Sequence, residues 1–92
     1  MALDITAIKA LVKECLSIIQ TATAKDSEIE LLINTAISDM ERIGIEIDLS
    51  SSLQKAAIIN YVKGNFGMTD TNTKELCMKS YNLLITSLQL MV

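Results

Sequence analysis

Ser27 follows Asp26 at the head of an apolar-periodic stretch, "AKDSEIELLI" (residues 24–33). A serine at a helix N-terminus can carry a phosphodiester-linked group, because the free N–H groups and the helix dipole favour a phosphate there. The same residues read as a plain helix start. Asp26 or Ser27 would cap, and Glu30, three residues after Ser27, would close a capping box. Other candidate chemistry is thinner. Glu28 with Glu30, and Asp39 with Glu41, are carboxylate pairs two residues apart. Such pairs do not face each other on a helix, so they read as solvated faces. Asp4, Asp26, Asp48 and Asp70 lie near segment starts without calcium-loop spacing. There is no histidine, which removes the usual general base and the commonest metal ligand. Cys15 and Cys77 alone make no closed zinc site and read as buried hydrophobes. Gly64–Gly67 follows a helical pattern and lacks the GK[ST] of a phosphate loop. No nucleophile has a base in view. The sequence therefore assigns no catalytic, cofactor-binding or metal-binding residue, and no enzyme activity.

The 92 residues fit one domain, 1–92. Half are hydrophobic and 21% charged, which supports a packed core and argues against disorder. Tyr61, Phe66 and Tyr81 are the whole aromatic complement, so the core must be aliphatic. A domain this small buries a modest share of its surface, and self-association is a common remedy. The net charge is −3 and Arg42 is the sole arginine. The basic footprint of a nucleic-acid binder is missing, and the three aromatics read as core packing. No apolar run reaches membrane-spanning length. "MALDIT" has no basic leader region, so the expected origin is the cytoplasm.

Stepping by three and four, Ile5, Ile8, Val12, Cys15 and Ile19 predict a helix from about Asp4 to Leu16, with Lys9, Lys13 and Glu14 off the stripe. A second helix is expected from about Ser27 to Ile43. Its stripe is Ile29, Leu32, Ile33, Ala36, Ile37 and Met40, and Gly44 stands at the left-handed position past its end. Ile45, Ile47 and Leu49 alternate with Glu46 and Asp48, predicting a short extended segment over 45–49. A third helix spans about Ser52 to Phe66, with Ser51 and Gln54 at capping-box spacing. The fourth runs from about Thr73 to Leu90, with Asn72 and Glu75 at cap spacing. Cys77, Tyr81, Leu84, Leu88 and Met91 form its heptad-like stripe, and Leu76, Leu83 and Leu90 form a second row. The fold class is all-α: a small bundle of four helices with short loops.

Three features point to a second protein surface. Leu31 is apolar but off the stripe of its helix. The third helix is apolar nearly all round, more than three partner helices can cover, which nominates Ile58, Ile59 and Val62. The sequence ends "LQLMV", nominating Leu90, Met91 and Val92.

From the second helix onward the chain resembles the small head–tail connector (adaptor) proteins of tailed bacteriophages, often labelled DNA-packaging proteins. The matching pieces are "DSEIELLINTAISDM", "LQKAAIINYVKGNFG" and "KSYNLLITSLQL". "KECLSI" also looks like the family's first helix running into an extended piece. The order and spacing of these pieces carry the resemblance over about residues 12–90. The residues before Val12 and the stretch "IQTATAK" are longer than the family pattern. The resemblance implies a structural, non-enzymatic subunit of a ring at the portal vertex. That ring joins head to tail and passes DNA through its centre during packaging and ejection, without sequence-specific binding. Implied partners are further copies of the chain (in a ring that assembles on the portal), the portal protein, and a neck or tail-completion protein. No cofactor and no membrane are implied. The implied location is the virion head–tail junction, after synthesis in the bacterial host cytoplasm. A net negative charge suits a channel through which DNA slides.

Two alternatives remain open in the residues. An acyl-carrier-like protein would be modified on Ser27. Carrier proteins usually place Gly shortly before the Asp and Leu or Ile after the Ser, whereas Ala24, Lys25 and Glu28 stand here, behind a shorter upstream span. A helical protein-interaction or regulatory domain would instead dimerise through the Cys77–Met91 stripe.

Overall fold

The computed structural model describes residues 5–67 and 69–90. They form four helices: α1 (Thr6–Cys15), α2 (Asp26–Arg42), α3 (Ser52–Asn65) and α4 (Thr71–Leu90). No strand occurs among the described residues. The all-α expectation holds, and Asp4, the expected start of the first helix, lies outside the described residues.

α3 sits against the three other helices, with its most extensive contact to α4 and the next to α2. Ile29, Ile33 and Met40 of α2, Val12 of α1, and Ile58 and Val62 of α3 are the largest fully buried side chains. Burying an aliphatic side chain of this size contributes about 1.5–3 kcal/mol. Phe66, Tyr81, Ile85 and Leu88 complete the same cluster from the far side of α3. The buried face of α1 is Ile8, Val12 and Lys13. The sequence stripe placed Lys13 off that face and Cys15 on it; the structure buries Lys13 and exposes Cys15. α1 is thus rotated toward its lysine, for a reason given by that residue's partners below. Cys77 is buried as expected, and both thiols are free.

α1 and α2 end in the same way. Past α2, Gly44 has φ +93°; its N–H donates to Glu41 O, and Ile45 N–H donates to Met40 O, both at 3.0 Å. These are the two bonds of a Schellman motif, with buried Ile45 and Met40 as its hydrophobic contact. Past α1, Ser17 takes the left-handed position with φ 61°. Its N–H reaches Glu14 O at 3.0 Å, and Ile18 N–H reaches Lys13 O at 2.8 Å. The first Schellman motif therefore has serine where glycine is favoured.

The helix starts differ from the sequence reading at two places. Lys25 occupies the N-cap of α2 without a side-chain cap bond. Neither Asp26 nor Ser27 caps, because both lie inside the first turn, one and two residues past the N-cap, and Asp26 is drawn to two lysines of α1. Asp26 and Glu28 still place negative charge in the first turn, where the dipole favours it. α4 starts two residues earlier than expected, and Asn72 lies inside it. Its cap is Asp70, whose carboxylate accepts the Thr73 N–H at 3.1 Å and the Thr73 hydroxyl at 2.6 Å. These bonds hold the Asp70 carboxyl below its ordinary range. Ser51 does cap α3, accepting from Gln54 N–H at 3.3 Å.

Gln54 completes no reciprocal box. Its buried side chain accepts from Asp48 N–H at 2.8 Å and donates to Glu46 O at 2.9 Å. It thereby pins residues 45–49 along the end of α3. Ile45 is buried, Ile47 and Leu49 half-buried, and Glu46 and Asp48 exposed. The alternation expected for 45–49 appears in burial, but no ladder forms.

Candidate assembly surface

The seven nominated contact residues divide in the folded chain. Ile58 and Val62 have no exposed surface at all. They are core and cannot meet a second subunit. The reason is the central position of α3: its neighbours within the chain cover Ala57, Ile58 and Val62, while Leu53 on the same helix stays exposed. Ile59 is half-buried and packs on the same core. Leu31 and Leu90 are 66% and 82% exposed. Met91 and Val92 lie outside the described residues.

α4 carries three of the exposed large apolar side chains among the described residues, Leu76, Leu83 and Leu90. Cys77, Tyr81, Ile85 and Leu88 bury one face. Leu76, Leu83 and Leu90 repeat every seven residues on the opposite side and are 64%, 71% and 82% exposed. Lys79, exposed and on the same face, and Ser80 stand between Leu76 and Leu83, Ser87 stands between Leu83 and Leu90, and no charged residue occurs from Ser80 through Leu90. Leu76 and Leu83 were visible in the sequence as a second heptad row. Their exposure followed only once the Cys77–Leu88 face was seen to fill the core by itself. Helices with apolar stripes on opposite faces bury both when a partner is available.

Polar side chains near this surface serve the fold. Tyr81 donates its hydroxyl to Asp39 at 2.7 Å, joining α4 to α2, while Arg42 donates to the other Asp39 oxygen at 2.7 Å. The Tyr81 hydroxyl and the Arg42 guanidinium hold the Asp39 carboxyl below its ordinary range. Burial first, and then the Asp39 charge, push the Tyr81 phenol upward. Its ring also meets Tyr61 edge-on, with centroids 5.1 Å apart at 61°. On the α1 side, Lys9 donates to Glu30 at 2.9 Å and stands 3.8 Å from Asp26. Glu28 accepts the Gly67 N–H at 2.9 Å. The carboxylates at 28, 30 and 39 thus each have a separate partner, and no two share a site. Among the described residues no three Cys, Asp or Glu side chains converge as metal ligands, and no helix is long and apolar enough to cross a membrane.

An all-α chain with an aliphatic core, separately engaged carboxylates and an open leucine row has the features of a protein that binds other proteins. The model of the phage connector protein family matches residues 10–92. The chain belongs to that family. The match takes in all of "IQTATAK" and all but the first turn of α1. No curated protein and no solved structure is matched. The connector is a structural phage protein, a component of the virion that contacts other proteins of the head and tail. Leu31 on α2 and Leu76, Leu83 and Leu90 on α4 are exposed apolar side chains, as are Ile19 and, at the edge of exposure, Leu53.

Proposed function

We propose that the connector is one subunit of a ring at the portal vertex, which joins head to tail and lets DNA pass. The observation carrying this reading is the exposed Leu76–Leu83–Leu90 row on a chain whose family match spans 10–92. Three leucines in line on a helix already packed on its other face favour a protein partner. Leu31, on α2, supplies a second and different apolar contact. Two unlike surfaces on one subunit are what a head-to-tail ring requires, since heterologous contacts close into rings when the rotation allows. The partners in this reading are further copies of the chain, the portal protein, and a neck or tail-completion protein.

The test combines sedimentation of the purified chain over a wide concentration range with co-purification on the portal protein. Rings alone, or rings formed only with portal, support the reading. A monomer at every concentration that binds neither portal nor capsids overturns it. Leu83→Lys lies on an exposed position and is expected to keep the fold while losing assembly.

A further inference from the structure

A groove of about 520 Å³ lies between the α1–α2 loop and the junction of α3 with α4. Leu16, Ile18 and Phe66 give it an apolar floor, and Cys15 opens onto it. Lys25 and Lys63 stand in its lining, and neither ammonium makes a hydrogen bond or ion pair with the described residues. Lys9, Lys13 and Arg42 are paired with carboxylates, while Lys55, Lys74 and Lys79, outside the groove, also make no ion pair among the described residues. Asp70, also in the lining, has both oxygens engaged by neutral Thr73 donors and stays charged, so the two lysines leave the lining with an excess of one positive charge. The volume falls within the range of about 300–1,000 Å³ typical of clefts that enclose a ligand.

The loop wall is preformed. Lys13 clamps Gln20 O at 2.9 Å and Ala22 O at 2.7 Å from beneath. The left-handed Ser17 fixes the turn from α1 into that loop. A wall held by a buried ammonium loses little freedom when it is occupied, which favours binding.

We propose that this groove captures a segment of a partner protein that presents bulky apolar side chains flanked by carboxylates. The apolar floor takes the side chains, and Lys25 and Lys63 take the acids. On a chain of net charge −3, a lysine-lined apolar groove selects an acidic partner segment by complementarity of charge. A nucleic-acid phosphate would use the lysines but leave the apolar floor unfilled. The proposal is independent of the ring reading, because it is measured on the free chain whether or not rings form.

The probe is a fluorescein-labelled peptide of sequence EELLDEL, titrated with the full chain and followed by anisotropy. Cys15 is an internal reporter: it is exposed in the groove, while Cys77 is buried. Saturable binding is expected, weakening with added salt and slowing the reaction of Cys15 with a thiol reagent. Lys25→Glu with Lys63→Glu should weaken binding at least about tenfold, and Lys25→Gln with Lys63→Gln by less, with unchanged circular dichroism. The peptide KKLLKKL and an oligo-dT strand should not compete. The proposal is overturned by no saturable binding, by equal binding to both lysine variants, by unprotected Cys15 at saturation, or by competition from either control.

Discussion

The Lys13 ammonium meets the Asp26 carboxylate at 2.9 Å across the loop between α1 and α2, and the lysine side chain is only 3% exposed. Its three N–H groups have three acceptors, Asp26 Oδ1, Gln20 O and Ala22 O. The bond from Lys13 is the main reason that the Asp26 carboxyl lies below its ordinary range. A buried ammonium so completely partnered organises the loop that follows α1. Removing the lysine leaves acceptors that water can reach, since Gln20 and Ala22 are exposed and Asp26 is half-buried, so the loss falls below that of a fully buried pair. Lys13→Ala is expected to lower the unfolding free energy by about 1–2 kcal/mol in urea titrations. Lys13→Met should recover part of that loss by keeping an apolar stem of similar length at this buried position. Asp26→Asn should lower stability less than Lys13→Ala, since water reaches its carboxylate. A Lys13→Ala variant as stable as the parent would show that the loop does not depend on the clamp.

Stability should be flat around neutrality and fall at both extremes. Asp26, Asp39, Asp48 and Asp70 all titrate below the ordinary 3.8 when folded. Between those lowered values and 3.8 the unfolded chain binds more protons, so the contribution is present above about pH 4 and lost as pH falls further. Lys9, held by Glu30, is raised above 10.5, and Tyr81 above 10.0. Both keep their proton more firmly when folded, so their contribution is present below about pH 10 and lost as pH rises past it. With no histidine, the melting temperature is expected to be nearly constant from about pH 5 to pH 8. Tyr81→Phe should cost about 1.5 kcal/mol at neutral pH and shrink the alkaline loss. An alkaline limb of unchanged depth in that variant would assign the loss to other groups.

The paired Schellman motifs give opposite substitutions opposite signs. Ser17 holds φ 61°, a conformation costing a residue with a Cβ about 1 kcal/mol. Ser17→Gly should therefore stabilise by roughly 0.5 kcal/mol, the strain relief being partly offset by the freer unfolded chain. Gly44 has φ +93° and open space where a Cβ would stand. Gly44→Ala should then cost about 1 kcal/mol from the backbone alone. Thermal melts of the two variants, measured together, decide the matter; shifts of the same sign would refute the shared-motif account.

Four helices, the Gly44 stop and the Ser51 cap are local properties, and periodicity and residue type made them legible in the sequence. Lys13 was not. Its burial depends on two carbonyls and one carboxylate that come together only when the following loop folds back. Ile58 and Val62 were legible as apolar but not as core, because a pattern states how much of a helix wants cover, not which chain supplies it. The cap of α4 was misplaced because Asn72 and Asp70 are both good cap residues and spacing alone favours neither. Of the nominated surface, Leu31 and Leu90 were legible as exposed apolar positions, whereas Leu76 and Leu83 needed the opposite face of α4 to be placed first. The groove holding Lys25 and Lys63 joins residues from distant segments and has no sequence signature.

α3 and α4 approach each other tightly at Gly64. A Cβ built there would lie 2.6 Å from Met78 Sδ, 2.9 Å from Met78 Cγ and 3.4 Å from Lys74 O. Two effects compete in Gly64→Ala. Alanine improves the helix by about 1 kcal/mol, while overpacking costs about 1–3 kcal/mol unless the neighbour yields. Met78 is flexible, but its sulfur also lies 3.4 Å from Asn65 Nδ2, and its side chain packs on the core. Gly64→Ala is therefore expected to destabilise by about 1 kcal/mol in the parent chain. In a Met78→Ala background the obstruction is gone, and the same substitution should stabilise by about 1 kcal/mol through helix propensity. A double-mutant cycle in urea reads the reversal directly. If Gly64→Ala is equally costly in both backgrounds, the Lys74 carbonyl and not the methionine sets the helix spacing.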